Sequence, residues 1–327
     1  MANLSVKYMG FDMPSPLILG SCGLTNSIDN LQKAEKAGFG GIVLKSIFEE
    51  QILNEISLTY NKFEDFSHTH AYDYIAQYHE MASFEKYLNF IRQATSSVSI
   101  PVIASVNCFS SNIWIKYAKA IQDAGAKALE VNYFILPFDF NKKAEDYYKS
   151  YFTLIEELKK QLSIPIAIKT SSYFTDLSYF IKQLSYTGID ALVLFNRFHS
   201  PDINLDKMEF TSTNNLSRPE ELPNTLRWVG ILSDHLRCDL SATTGCHDSK
   251  GLIKLILAGA NTVQAASVFY KKGIEYGAVM LNELNVWMEQ KGFNKIADFK
   301  SKMTYSKLED PGVYARIQFM KYMSGIE

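Results

Sequence analysis

The chain has 327 residues, 47% of them hydrophobic and 21% charged, with a formal net charge of -2. A chain of this size and composition buries enough core to need no disulfide or structural metal. Its near-neutral charge gives no general attraction for nucleic acid or an anionic membrane surface.

Taken in order, the chain alternates short apolar runs with longer amphipathic segments. Pro16–Gly20 is followed by Asn26 and Ser27, which open a helix over Ile28–Ala37 that stops at Gly38. Gly41–Lys45 comes next, then a long connection from Ile47 to about Ser83. Pro101–Val106 and Ala128–Asn132 flank a helix over Ile113–Ala124, opened by Ser111 and Asn112 and closed by Gly125. Ile164–Lys169 and Ala191–Asn196 flank a helix over Asp176–Thr187, opened by Thr175 and closed by Gly188. A second long connection runs from Arg197 to about Glu220. Cys238–Thr243 and Thr262–Ser267 flank a helix over Lys250–Ala258, opened by Asp248 and Ser249 and closed by Gly259.

These eight runs have the near-continuous apolar character of strands buried on both faces. Eight strand–helix units without a break in composition predict an α/β fold, a single (β/α)8 TIM barrel domain spanning residues 1–327. Its long loops follow strands 2 and 6, where functional lids are common. An open doubly wound sheet would carry GxGxxG after its first strand, and Gly20-Ser21-Cys22-Gly23 does not supply it.

In a barrel, strand ends and the loops after them face the site. That rule selects Gly20, Ser21, Lys45, Ser46, Asn107, Asn132, Lys169, Asn196, Thr244, Gly245 and Ser267, with Ala266 beside the last. Two lysines and three asparagines, with no Asp or Glu, suit a planar, anionic, carbonyl-rich ligand. The same set argues against a divalent metal. A lone strand-end lysine could simply reach for water, but Lys45 and Lys169 close apolar runs at equivalent positions, which points to function.

The turn Thr243–His247 and the run Ala265–Ser267 stand where barrels hold phosphate with backbone N–H groups and a helix N-terminus. Gly245 would either permit a close approach or merely make the turn. His68 and His70 lack a third ligand and read as part of a lid loop. Tyr147, Tyr148, Tyr151 and Phe152 fall at helical spacing and read as packing residues. Lys142, Lys143, Lys159 and Lys160 read as solvated helix faces.

GFGGIVLKSI at Gly38–Ile47, PVIASVN at Pro101–Asn107 and GAKALEVN at Gly125–Asn132 form an ordered series. IPIAIK at Ile164–Lys169, ALVLFN at Ala191–Asn196 and LAGANTVQAASVFY at Leu257–Tyr270 continue it. Together these segments resemble the dihydroorotate dehydrogenase family from about Leu17 to about Phe299. The resemblance implies an FMN-containing barrel that oxidises dihydroorotate to orotate in pyrimidine biosynthesis. It implies that Lys45 and Ser46 contact the flavin and that Lys169 lies against its ring, where a cation would stabilise the reduced form. Asn132 and Asn196 would hold the pyrimidine or the flavin edge, and Gly245 and Ser267 the FMN phosphate. Gly20, Ser21, Asn107, Thr244 and Ala266 complete the expected cofactor-binding set, and Lys169, Asn132 and Lys45 are the expected catalytic residues.

The substrate half departs from the family. Its Asn-x-Ser-Cys-Pro-Asn segment, whose Cys or Ser is the general base, reads here Asn132-Tyr133-Phe134-Ile135-Leu136-Pro137-Phe138. The base position therefore holds Ile135 or Leu136, neither of which accepts a proton, and the second asparagine is missing. HTHAYDY stands in the region of the family's substrate loop, and Arg197 follows Asn196 where Ser or Thr is usual.

Three readings stay open. The base comes from Cys108, Ser110, Ser171, Tyr173, Tyr133 or His70; or the substrate is another small molecule, with Arg197 pairing its carboxylate; or FMN is bound without turnover. A Schiff-base aldolase or isomerase using Lys169 or Lys45 on a phosphorylated sugar is the rival outside flavin chemistry.

Cys22, Cys108, Cys238 and Cys246 are dispersed with no CxxC pair, which argues against an iron–sulfur or zinc site and suits a reducing compartment. Residues 1–10 lack the apolar core of a signal peptide, and no stretch has the ~20 apolar residues of a membrane span. A cytoplasmic protein is expected, a homodimer by the habit of related enzymes. Its electron acceptor is fumarate, NAD through a partner subunit, or a quinone, the last disfavoured by the lack of an amphipathic docking extension.

Overall fold

The computed structural model describes residues 2–48, 84–108, 111–198, 201–212 and 215–315. Eight parallel strands form the barrel: β1 (Leu17–Leu19), β2 (Gly41–Val43), β3 (Val102–Cys108) and β4 (Ala128–Tyr133), then β5 (Ile166–Thr170), β6 (Ala191–Leu194), β7 (Asp239–Thr243) and β8 (Thr262–Ala265). Each pairs with its neighbours in sequence, and the pairing of Val263 with Leu17 joins β8 to β1 and closes the ring.

All eight runs predicted from sequence are strands, with ends shifted by no more than two residues. The helices Ile28–Lys36, Ser111–Asp123, Leu177–Ser185 and Ser249–Leu257 likewise occupy their expected places. No helix among the described residues is long and apolar enough to cross a membrane.

Two apolar layers hold the barrel. The outer one packs the helices against strand residues such as Leu17, Leu19, Ile42, Leu129 and Ile168. The inner one fills the lower barrel with Ile18, Val43, Ile103, Ala128, Ala167, Ala191 and Val193. A short antiparallel hairpin, Val6–Tyr8 with Phe11–Met13, closes the bottom by adding Tyr8, Met9 and Met13 to that layer. Met9 N–H donates to Asp239 Oδ2 at 2.7 Å, tying the hairpin to β7.

Successive side chains on a strand point to opposite faces. Hence Ala128, Glu130 and Asn132 climb one inner face, and Ala167 and Lys169 the next. The interior is apolar below and polar at the C-terminal mouth, so strand register alone places the chemistry at one end.

The second long connection is not an irregular loop throughout. It carries a hairpin, Pro201–Asn204 with Glu209–Ser212, that exposes Ile203, Leu205, Met208 and Phe210. Most of the first long connection, including His68 and His70, lies outside the described residues; a helix occupies 84–97.

Candidate active site

A cleft of about 560 Å³ opens at the C-terminal mouth. Ser21, Lys45, Ser46, Asn132, Lys169, Asn196, Thr244, Gly245, Ala266 and Ser267 all line it, and so does Arg197. Gly20 is set back from it, its N–H donating to Ala265 O at 3.0 Å within the strand ladder. Asn107 and Tyr133 line an adjoining chamber instead. His70 and Ser110 fall outside the described residues.

The expectation that no carboxylate faces the cleft is corrected by Glu130, which lines it while only 1% exposed. Glu130 Oε2 accepts from Gln264 Nε2 at 2.6 Å, and Oε1 lies 3.6 Å from Lys169 Nζ. Reading only strand ends missed both residues. The overlooked signal is a charged or amide side chain one to three positions before a strand end, inside an otherwise apolar run. At such a position it faces the barrel axis and requires a partner. Glu130 Oε1 and Gln264 Oε1 have no hydrogen-bond partner among the described residues. They are buried acceptors on two residues that line the cleft.

Ser46, 8% exposed, is fixed by a chain of hydroxyls. Its N–H donates to Ser21 Oγ at 3.0 Å, and its Oγ lies 3.0 Å from Ser21 Oγ and 2.7 Å from Ser105 Oγ. Across the mouth, Asn196 Nδ2 donates to Asn132 Oδ1, so the two amides form one unit between cleft and chamber.

The turns after β7 and β8 are joined by side-chain contacts. Thr244 adopts φ 78°, an uncommon conformation for a β-branched residue, and its hydroxyl donates to Phe195 O at 3.2 Å. Ser217 N–H donates to Ser267 Oγ at 2.9 Å, and Ser217 Oγ lies 3.0 Å from His247 Nε2. The helix after β7 opens at the cap its sequence predicts. Asp248 caps it, accepting from Gly251 N–H at 2.8 Å, so a carboxylate already occupies that N-terminus.

Burial, reinforced by Lys271, holds the His247 imidazolium below its ordinary range. A histidine whose folded value is depressed contributes stability that is complete above the unfolded value of about 6.5 and lost as pH falls through the folded one. The melting temperature should therefore fall more steeply below about pH 6.5 for the parent than for His247→Gln. Parallel curves would remove the imidazole from this account.

The candidate bases disperse. Ser171 is fully buried and donates to Ile135 O at 3.3 Å, while Tyr173 is half exposed with its ring edge-on to Phe198. Tyr133 is buried against Tyr151. Ile135 and Leu136 themselves line the adjoining chamber, so no proton acceptor stands at that position. Arg197 does not offer an uncommitted charge: its Nε donates to Glu221 Oε2 at 2.8 Å. Tyr147 is both a packing residue and a chamber wall.

No family model matches the chain. Among characterised proteins, it is 20% identical to the catalytic subunit of an NAD-dependent dihydroorotate dehydrogenase B from Thermoplasma volcanium, across 91% of this chain and 97% of that one. It is 23% identical to the PreA subunit of the NAD-dependent dihydropyrimidine dehydrogenase of Escherichia coli K12, across 90% and 75%. A fumarate-type dihydroorotate dehydrogenase A from Lactobacillus helveticus matches at 22%, across 94% and 100%. The chain is thus similar, at low identity and along nearly its whole length, to dehydrogenases of dihydropyrimidine rings.

Proposed function

We propose that this divergent, dihydroorotate dehydrogenase-like barrel is an FMN-dependent oxidoreductase acting on a CH–CH bond of a small-molecule substrate. The observation that carries the reading is the convergence of Lys45, Lys169 and the Asn132–Asn196 pair on one cleft, above the buried acceptors Glu130 Oε1 and Gln264 Oε1. A flavin ring offers carbonyls to such donors and one N–H to such acceptors, so donor set and ligand agree. The Thr244–Gly245 turn, Ser217 and Ser267 would hold the phosphate.

The chemistry that FMN supplies when bound is the acceptance of a hydride. Lys169, steadied from below by Glu130, brings positive charge to the cleft floor, where it would favour an anionic reduced ring. Asn132 and Asn196 orient a carbonyl at the boundary with the adjoining chamber. Because Ile135 and Leu136 stand where a base is expected, dihydroorotate itself is not the assigned substrate.

Lys169 is engaged by a carboxylate, whereas Schiff-base lysines are activated by apolar surroundings or by neighbouring cations. Borohydride treatment with a carbonyl substrate should therefore leave no lysine adduct. The chamber's Ile135 and Leu136 favour one second reading, a flavin binder without turnover.

The visible spectrum of the purified protein tests the proposal. A flavin spectrum supports it, and colourless protein that refuses added FMN sinks it. Anaerobic dihydroorotate then separates the readings, since bleaching would show that a base exists elsewhere.

A further inference from the structure

We propose that the chamber beside the cleft takes an uncharged cyclic amide or imide bearing an aromatic or bulky apolar substituent, in place of the carboxylate-bearing dihydroorotate. This inference rests on the FMN reading and names the substrate class for that same site. The chamber, open on one side, has a volume of about 870 Å³ and shares Asn132, Asn196, Arg197 and Phe48 with the cleft, so a molecule in it abuts whatever the cleft holds. Its volume lies in the upper part of the ~300–1,000 Å³ range of small-molecule sites, far more than a bare pyrimidine requires.

The polar groups at the junction are amides. Asn107, Asn132 and Asn196 all border the chamber, and each can donate to a carbonyl and accept from an N–H. That pairing is what a cyclic amide or imide presents along one edge.

Part of the lining is aromatic, Phe134 and Phe198, with Tyr173 packed against the latter. The Phe134 and Phe198 rings lie 3.9 Å apart between centroids, and Tyr173 meets Phe198 edge-on at 4.7 Å. Phe138 also lines the chamber while 74% exposed, which leaves apolar surface for a ligand to cover.

Charge on the described lining disfavours a carboxylate. Of the cations on the described lining, Lys142 faces Asp139 at 3.8 Å and Arg197 faces Glu221 at 2.8 Å, and Asp146 adds a further negative group. A carboxylate here would give up part of its water and gain no surplus positive charge among the described residues.

The test uses the purified protein as isolated and three probes in titration calorimetry: 5-benzyluracil, uracil and orotate. Burying the benzyl group against Phe134 and Phe198 should give 5-benzyluracil at least about tenfold tighter binding than uracil. Orotate should bind more weakly than uracil. Phe198→Ala should weaken 5-benzyluracil by about tenfold and uracil by less than about twofold, with Phe198→Leu as the milder variant if alanine impairs folding. Orotate binding as tightly as 5-benzyluracil, or no gain from the benzyl group, would overturn the inference. The visible spectrum of the same sample keeps the two proposals apart. Yellow protein that prefers orotate sinks only the substrate class, whereas colourless protein that still prefers 5-benzyluracil sinks only the flavin assignment.

Discussion

Glu130→Ala is expected to lower stability at neutral pH by about 3 kcal/mol, the lower end of the cost of breaking a buried ion pair. The low end applies because the Lys169 side chain keeps 13% exposure toward the cleft and retains some water. The substitution leaves that ammonium without its carboxylate and the Gln264 amide without the acceptor it reaches at 2.6 Å. Replacing both partners, Glu130→Leu with Lys169→Met, removes the stranded charge. The double variant should recover most of the loss, with about 1 kcal/mol remaining from the unmatched Gln264 amide. Urea unfolding of the three proteins measures this directly. A double variant as unstable as Glu130→Ala would show that stranded charge is not the source.

The second large effect is predicted for Gly245→Ala. Gly245 has φ +84°, and a Cβ there would stand 2.3 Å from Leu222 N and 2.6 Å from Leu222 Cα. Those are backbone atoms at the start of the helix Leu222–Leu232, so no side chain can swing aside. The left-handed conformation costs alanine about 1–2 kcal/mol, and overpacking adds about 1–3 kcal/mol. A total of roughly 3 kcal/mol is expected, with displacement of the neighbouring Glu221 from Arg197. Gly10→Ala is the control, because φ is +80° there and nothing lies within 4 Å of the added carbon. Equal losses at the two positions would mean that the close approach to Leu222 is not a constraint.

The architecture was legible because strands buried on both faces need unbroken apolar runs, and helices between them stop at glycines such as Gly38 and Gly188. Both signals are local. That the turn after β7 and the two lysines line one cleft followed from strand-end position, which is set by topology. Glu130 was passed over because its meaning lies across the barrel, in Gln264 and Lys169, and only the ring closure brings those together. Arg197 showed the converse. Its place at a strand end suggested a carboxylate-binding cation, while its partner Glu221 lies 24 residues on, beyond a hairpin that no apolar period announced. The N-terminal hairpin was missed for a simpler reason: three-residue strands carry too little alternation to register.

That hairpin has a consequence for the chain as it is synthesised. Its anchor, Asp239, lies 230 residues downstream of Met9. At about 5–20 residues per second, the hairpin leaves the ribosome some 10–50 s before its docking site exists. Through that interval Tyr8, Met9 and Met13 are apolar groups without a destination, and the rising barrel has an unsealed base. Residues made long before their docking site are placed only once it forms, so substitutions at Tyr8, Met9 or Met13 bear on the final sealing step rather than on the first collapse.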